Sequence, residues 1–400
     1  MSEQTISRVA PVGVALAGGP RFRILPPLSL YIHVPWCVRK CPYCDFNSHE
    51  ARGDVPEAAY VDALIADLES ALPLVWGRKF YTIFFGGGTP SLLSAAAIER
   101  LLSAVRARVP LATDAEVTLE ANPGTFEAER FAAYRAAGVN RLSIGIQSFD
   151  PRFLKALGRI HDDKQAEHAI EIARAHFENF NLDLMYALPG QMLGDVRSDL
   201  RRALAFSPPH LSLYHLTIEP NTYFHRFPPT VPDDDAAAEM QAVIESTLSA
   251  AGYEHYETSA YARHGRRSRH NLNYWTFGDY LGIGAGAHSK LSFPDRVARQ
   301  ARFRQPREYM EKASAGAAIQ TGGEITEREI AFEFMMNALR LSDGFALTLF
   351  EERAGIPLTA ALKALDEAER RGLIARDHQR VQPTELGRRF LNDLLQLFLP

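Results

Sequence analysis

Short apolar runs alternate with stretches whose apolar residues recur every three or four positions through most of this chain. Alternation of that kind predicts successive βα units around a parallel sheet. The candidate strands are residues 28–34, 80–85, 115–120, 141–146, 180–185 and 211–217, enough for an α/β fold built on a partial (β/α)6, TIM-like barrel. Between them lie helical stretches such as 57–72, where Tyr60, Leu64 and Leu68 repeat on one face, and 94–109. From about residue 324 the pattern turns mostly helical. Residues 327–341 form an amphipathic stretch rich in Phe332, Phe334, Met335 and Met336, with Thr326 placed to cap it; the stripe is expected to pack on the barrel. A helix over 358–371, a short hairpin turning at Asp377 and His378, and a final helix over 384–398 then make a C-terminal helical, winged-helix-like domain. Four regions follow: a mostly disordered leader (1–27), the partial barrel (28–225), an extension (226–323) and the C-terminal domain (324–400).

Charge narrows the function classes. Lys and Arg number 44 against 48 Asp and Glu, a net of −4, which offers no footprint for nucleic acid. No run approaches the roughly eighteen apolar residues of a membrane span, and the modest apolar stretch 9–17 leads into no convincing cleavage site. The chain has three cysteines, too few for a disulfide framework, so a reducing cytoplasm is expected.

Those three cysteines are Cys37, Cys41 and Cys44, a C-x3-C-x2-C cluster in the loop after the first strand. Three closely spaced thiols that cannot pair off point to a metal site. A zinc knuckle is the plainer alternative, but it wants a fourth ligand, for which His33 and His49 lie nearest in sequence. Gly86, Gly87 and Gly88 follow the second strand, and Glu120 closes the third ahead of Asn122 and Gly124. A bare glycine run is usually a turn, and a carboxylate at a strand end is often merely solvated. All three features, however, fall at carboxyl ends of strands, where barrels place their chemistry.

The runs LSLYIHVPWC (28–37), CPYCDFNSH (41–49), GGGTPSL (86–92), EANPG (120–124) and SIGIQSF (143–149) resemble the oxygen-independent coproporphyrinogen III oxidase-like family of radical S-adenosylmethionine (SAM) proteins. Within it the chain looks most like the haem chaperones, and the likeness runs from about residue 27 to the C-terminus. The resemblance implies a radical SAM barrel, with a [4Fe–4S] cluster on Cys37, Cys41 and Cys44. It implies SAM contacts from Tyr31, Tyr43, Gly87, Gly88, Thr89, Glu120, Gln147, Arg159 and Asp183. Barrel packing and solvated charge are the plainer readings of Asp183 and Arg159.

Two features bear on the reaction. The family's coproporphyrinogen dehydrogenases carry a further cysteine two residues after the third, whereas here Cys44 is followed by Asp45 and Phe46. Thr217 and His288 stand where those enzymes have small or apolar residues. A second motif, HNLNYW (270–275), resembles the H-N-x-x-Y-W signature of the haem chaperones and implies haem binding by His270. His33, His215 and His288 are competing histidines, and the run 282–287 reads as a loop whose small residues let the chain pass close to a cofactor. The function expected is a haem chaperone that passes haem to acceptor haemoproteins such as respiratory cytochromes, with the cluster and SAM controlling conformation or dimerisation. Radical oxidative decarboxylation of coproporphyrinogen III is the alternative.

Overall fold

The computed structural model describes residues 19–124 and 130–400. Most of the expected leader, residues 1–18, lies outside the described residues. Residues 19–27 lie along the body of the protein, where Arg21 N donates to Gly355 O at 2.7 Å and Phe22 N to Pro294 O at 3.0 Å.

The six expected strands are all present as β1 (Leu28–Val34), β2 (Phe80–Gly87), β3 (Leu111–Ala121), β4 (Arg141–Gln147), β5 (Phe180–Tyr186) and β6 (His210–His215). They pair in that order, each parallel to the next, as the partial barrel requires. Strand parity sorts their side chains. Leu28, Leu30, Ile32 and Val34 of β1 join the main core with Tyr60, Leu64 and Leu68 of helix α1 (Glu57–Ala71). The alternate residues Ser29, Tyr31 and His33 turn to the barrel interior, where Ser29 accepts from Thr82 Oγ1 at 2.8 Å. Helix α2 (Ala95–Arg108) follows β2, capped by Ser94, whose side chain accepts from Ala97 N.

Six further strands extend the sheet on both sides: β7 (Glu254–Glu257), β8 (Ala260–Ala262), β9 (Asp279–Ile283), β10 (His288–Phe293), β11 (Arg296–Arg302) and β12 (Ile319–Glu324). The order is β12-β11-β10-β9-β1-β2-β3-β4-β5-β6-β8-β7. Strand β9 takes in residues 282 and 283 of the run expected as a loop and leaves 284–287 outside any strand. It pairs parallel with β1, Tyr31 opposite Gly282 and Ile32 opposite Ile283. The small residues there serve the chain's own packing: a Cβ on Gly282 would meet His288 O at 2.0 Å, and one on Gly284, at φ +105°, would meet His33 O at 2.4 Å. Buried ion pairs anchor this edge. Asp279 accepts from Arg78 at 2.8 Å and Lys290 at 3.0 Å.

Between β8 and β9, helix α3 (Arg269–Trp275) packs against β1, β2 and β9. Helix α4 (Glu327–Ala338) starts on a capping box from Thr326 and Glu329. Its Phe334 and Met335 are buried beside Phe277 and Val297, while Met336 is exposed. After helix α5 (Leu347–Ala354) come α6 (Leu362–Arg370) and a three-stranded sheet of β13 (Phe345–Ala346), β14 (Ile374–Arg376) and β15 (Arg380–Pro383). The winged-helix-like outline is present with one correction. The expected final helix 384–398 is broken at Phe390, whose φ of −111° and ψ of 44° are not helical, into Glu385–Arg389 and Leu391–Gln396.

Candidate functional site

A pocket of about 450 Å³ opens over the carboxyl ends of β2 to β6. Cys37, Cys41 and Cys44 line it together with Tyr43, Gly87, Gly88, Thr89, Glu120, Gln147, Arg159 and Asp183, so residues spread over some 150 positions meet in one place. Two residues of the expected set stand apart. Tyr31 lies below, its hydroxyl 3.1 Å from His33 Nδ1, and His270 is not in the lining.

The cysteine loop is clamped at several points. Trp36–Cys37 pairs in parallel with His49–Glu50. Lys40 Nζ donates to the carbonyls of Phe46 and Ser48 at 3.3 and 3.2 Å, and Asn47 Nδ2 donates to Ala285 O and Arg304 O, both at 2.9 Å. His33 Nε2 donates to Asn47 O at 2.8 Å, which leaves Nδ1 to accept from Tyr31. With both ring nitrogens engaged, His33 is no ready fourth zinc ligand. Burial pushes the thiols of Cys37 and Cys44 above their ordinary pKa, so metal binding must displace their protons. Three thiols around one polar pocket are a donor set that suits an iron–sulfur cluster.

The glycines here answer to the protein before any ligand. A Cβ on Gly88 would lie 2.5 Å from Trp36 O, and one on Gly87, at φ +113°, would lie 2.6 Å from the His33 ring. Gly87 N donates to Glu120 Oε2 at 3.2 Å. Burial, with Asp183 adding to it, pushes Glu120 up to about 8. Asp183 is raised as well, chiefly by burial, even though it accepts from Ser143 Oγ and Asn181 Nδ2, both at 2.8 Å. Two neighbouring carboxyl groups, both raised by burial and Glu120 to about 8, suit a ligand whose hydroxyls or cationic group would favour their ionised forms. Arg159 braces the far wall: Nη2 donates to Gly145 O at 2.9 Å and to Asn122 Oδ1, and Nη1 lies 3.7 Å from Cys41 Sγ. Asn122 in turn donates to Thr89 Oγ1 at 3.1 Å. Ser143 and Tyr214 also line the pocket. Ser143 opens the run SIGIQSF without standing in the expected contact set, and no motif marks Tyr214; the signal for both is parity, for the alternate neighbours Leu142 and Leu213 face the core.

His270 sits deep at the other end of the barrel, 2% exposed. Its Nδ1 lies 2.7 Å from Thr82 Oγ1, and because that hydroxyl donates to Ser29, the imidazole is the donor. Nε2 is then an unprotonated lone pair, and it has no hydrogen-bond partner. Burial, reinforced by Arg141, holds the pKa down to about 3. The ring stacks on Phe84 at 4.8 Å and meets Tyr274 edge-on at 5.1 Å. The competing histidines fare differently: His215 lines the pocket with Thr217, and His288 is exposed at the start of β10.

Comparison with known proteins decides the lineage. Residues 31–203 match the Radical SAM superfamily and residues 325–390 the HemN C-terminal domain. The chain is 51% identical to the Heme chaperone HemW of Escherichia coli (strain K12), over 94% of this chain and 99% of that protein. It belongs to the HemW family. Another HemW relative, from Bacillus subtilis (strain 168), is 34% identical over 93% of this chain and 99% of its own length. The mitochondrial Radical S-adenosyl methionine domain-containing protein 1 of Bos taurus is 36% identical, over 92% and 86%. Among solved structures, the E. coli coproporphyrinogen III oxidase HemN, described as a radical SAM enzyme, superposes with a TM-score of 0.79 over 94% of this chain and 90% of that one, at 24% identity. That likeness establishes the radical SAM fold for this HemW-family chain. No helix among the described residues is long and apolar enough to cross a membrane.

Proposed function

We propose that this chain is a haem chaperone, binding haem and handing it to acceptor haemoproteins, respiratory cytochromes among them, in the cytoplasm. The reading is carried by whole-length likeness to proteins named as haem chaperones. Phe46, 59% exposed at the pocket mouth, supports it, standing where the family's dehydrogenases have a further cysteine. Cys37, Cys41 and Cys44 would hold a [4Fe–4S] cluster, and the rest of the pocket would hold SAM. Such a cluster supplies, when bound, an electron able to cleave a carbon–sulfur bond of SAM. The chain's own residues orient the guest: Glu120 accepts from ribose hydroxyls, Tyr43 lies against adenine, Arg159 pairs with the carboxylate, and Asp183 and Gln147 bond sugar or base. The backbone of Gly87, Gly88 and Thr89 borders the methionine end, and Tyr31 supports the site from below through His33. Residues 324–400 act as a lid or docking surface for the acceptor. His270 offers an unprotonated Nε2 suited to haem iron, but it can reach haem only when α3 swings out of the barrel.

Anaerobic titration of the reconstituted protein with haem, beside a coproporphyrinogen III turnover assay, tests the reading. Stoichiometric haem binding without turnover is the expected result. Turnover without haem binding would make the chain a dehydrogenase instead. The same titration of His270→Ala tests whether the imidazole contributes.

A further inference from the structure

A second cavity, of about 880 Å³, lies at the amino end of the barrel, between residues 21–28, the start of β2 and α5 with the turn after it. Its size falls in the range of small-molecule sites, about 300–1,000 Å³, and its lining is unusual in two respects. Apolar groups stand open to solvent there, with Ile24 83% and Tyr81 42% exposed. Cations dominate the charge: Arg21, Arg23, Arg78, Lys79 and Arg353 against Glu351 and Glu352. Two of those guanidinium groups are incompletely used. Arg78 Nη2 donates to Pro26 O at 2.6 Å and pairs with Asp279, yet its Nη1 is buried without a partner. Arg353 Nη1 is likewise buried and unpartnered, at a position where burial lowers the pKa of the whole group. Each donor is enclosed and unmade while its side chain borders the cavity, so a carboxylate entering there and shifting either side chain supplies the acceptor it lacks.

We infer that this cavity is a haem dock, with the macrocycle against Ile24 and Tyr81 and the two propionates on Arg78 and Arg353. The inference rests on the haem-chaperone reading and adds where the cargo sits. A flat apolar ring bearing two carboxylates matches an apolar floor beside two under-used guanidinium groups, whereas a free phosphate would leave the floor uncovered. The location is also coherent with the chain. Asp279, which Arg78 grips, follows α3 by four residues, so the dock adjoins the end of the barrel that buries His270.

The test uses the full chain and three proteins: wild type, Arg353→Gln, and the double variant Arg23→Glu/Lys79→Glu, made at two exposed positions. Haem and haem dimethyl ester, which lacks free carboxylates, are titrated into each, with SAM binding at the opposite end as the check of folding. The expected result is haem affinity about tenfold or more weaker in both variants, through the loss of a charge-assisted hydrogen bond in Arg353→Gln and through reversal of the cationic lining in the double variant, with SAM binding unchanged. The ester should bind wild type weakly and the variants no worse. Equal haem affinity in all three proteins would overturn the dock and leave the chaperone reading standing. A wild type that binds no haem would overturn both.

Discussion

At the carboxyl end of the barrel, chemistry-bearing groups come from loops and strand ends: three cysteines within eight residues, a glycine run, and Glu120 closing β3. At the amino end, the contacts join distant parts of the chain, as in His270 on Thr82, 188 positions apart, and Arg78 on Asp279. The carboxyl end is an open pocket where burial raises the thiols of Cys37 and Cys44 and the carboxyl groups of Glu120 and Asp183. The amino end is plugged by α3 and spends its polar groups on structure, except for a few orphaned nitrogens. Reactive cofactor chemistry thus has a prepared cavity at one end, while the motif implied to meet haem is stored in the core at the other. If that division is real, the two ends should fail separately.

The largest separation should come from Cys41→Ala. Losing one of three thiolates should abolish reconstituted iron and sulfide, read by chemical analysis, while haem titration changes little. Loss of haem binding together with iron would show that the two ends are coupled.

Next is a pH effect confined to the carboxyl end. Burial pushes Glu120 up to about 8 in the ligand-free fold against 4.5 ordinarily, and the proposed ribose contact would need its carboxylate as the acceptor. SAM affinity should therefore rise as pH climbs from about 6 to 8, by up to about tenfold per unit for one displaced proton, and level off above 8. The stability of the ligand-free chain should move the opposite way. The fold retains a proton that unfolded Glu120 has lost, so stability falls as pH rises from about 4.5 to about 8, by at most about 1.4 kcal/mol per unit. Glu120→Gln should flatten both profiles, apart from what Asp183 adds with the same sign. A pH-independent SAM affinity in wild type would remove Glu120 from the ribose site.

The amino end answers to stability instead. His270→Ala deletes a fully enclosed ring, its contacts with Phe84 and Tyr274, and the bond to Thr82. A loss of about 2–4 kcal/mol in chemical denaturation is expected, with SAM affinity retained. A change under about 1 kcal/mol would mean that the ring is not packed as described, and that α3 is already open in solution.

The asymmetry between the ends also explains what the sequence disclosed. Strands β1 to β6 were legible because each is a compact apolar run at a regular interval, and the cysteine loop because its spacing is local. Strand β9 was not. Its five residues begin at Asp279 and end on Gly282 and Ile283, the first positions of the run that reads as a loop; only the buried partners Arg78 and Lys290, from other segments, make the Asp tolerable in a strand. The break at Phe390 was hidden for a related reason, since the helical pattern runs through it. In the pocket, Ser143 opens a family-like run and Tyr214 carries no motif, and strand parity is what points both inward. The burial of His270 was beyond reach of any local pattern, because Thr82 and Phe84 come from another part of the chain.

The smallest effect tests whether the glycines of the carboxyl end serve ligand or fold. Gly88 N donates to Val34 O and Thr89 N to Trp36 O, both at 2.7 Å, so the glycine lies tight against the backbone that delivers Cys37. A methyl group 2.5 Å from Trp36 O has to push that backbone aside, because a main-chain carbonyl held by a hydrogen bond cannot rotate away as a side chain would. Gly88→Ala should therefore cost about 1–3 kcal/mol of stability in the ligand-free chain and lower cluster yield on reconstitution through the displaced Cys37, with haem affinity at the amino end unchanged. Should the variant be as stable as wild type when ligand-free and weaken only SAM binding, the glycine would be there for the cofactor, and the packing account of this turn would be wrong.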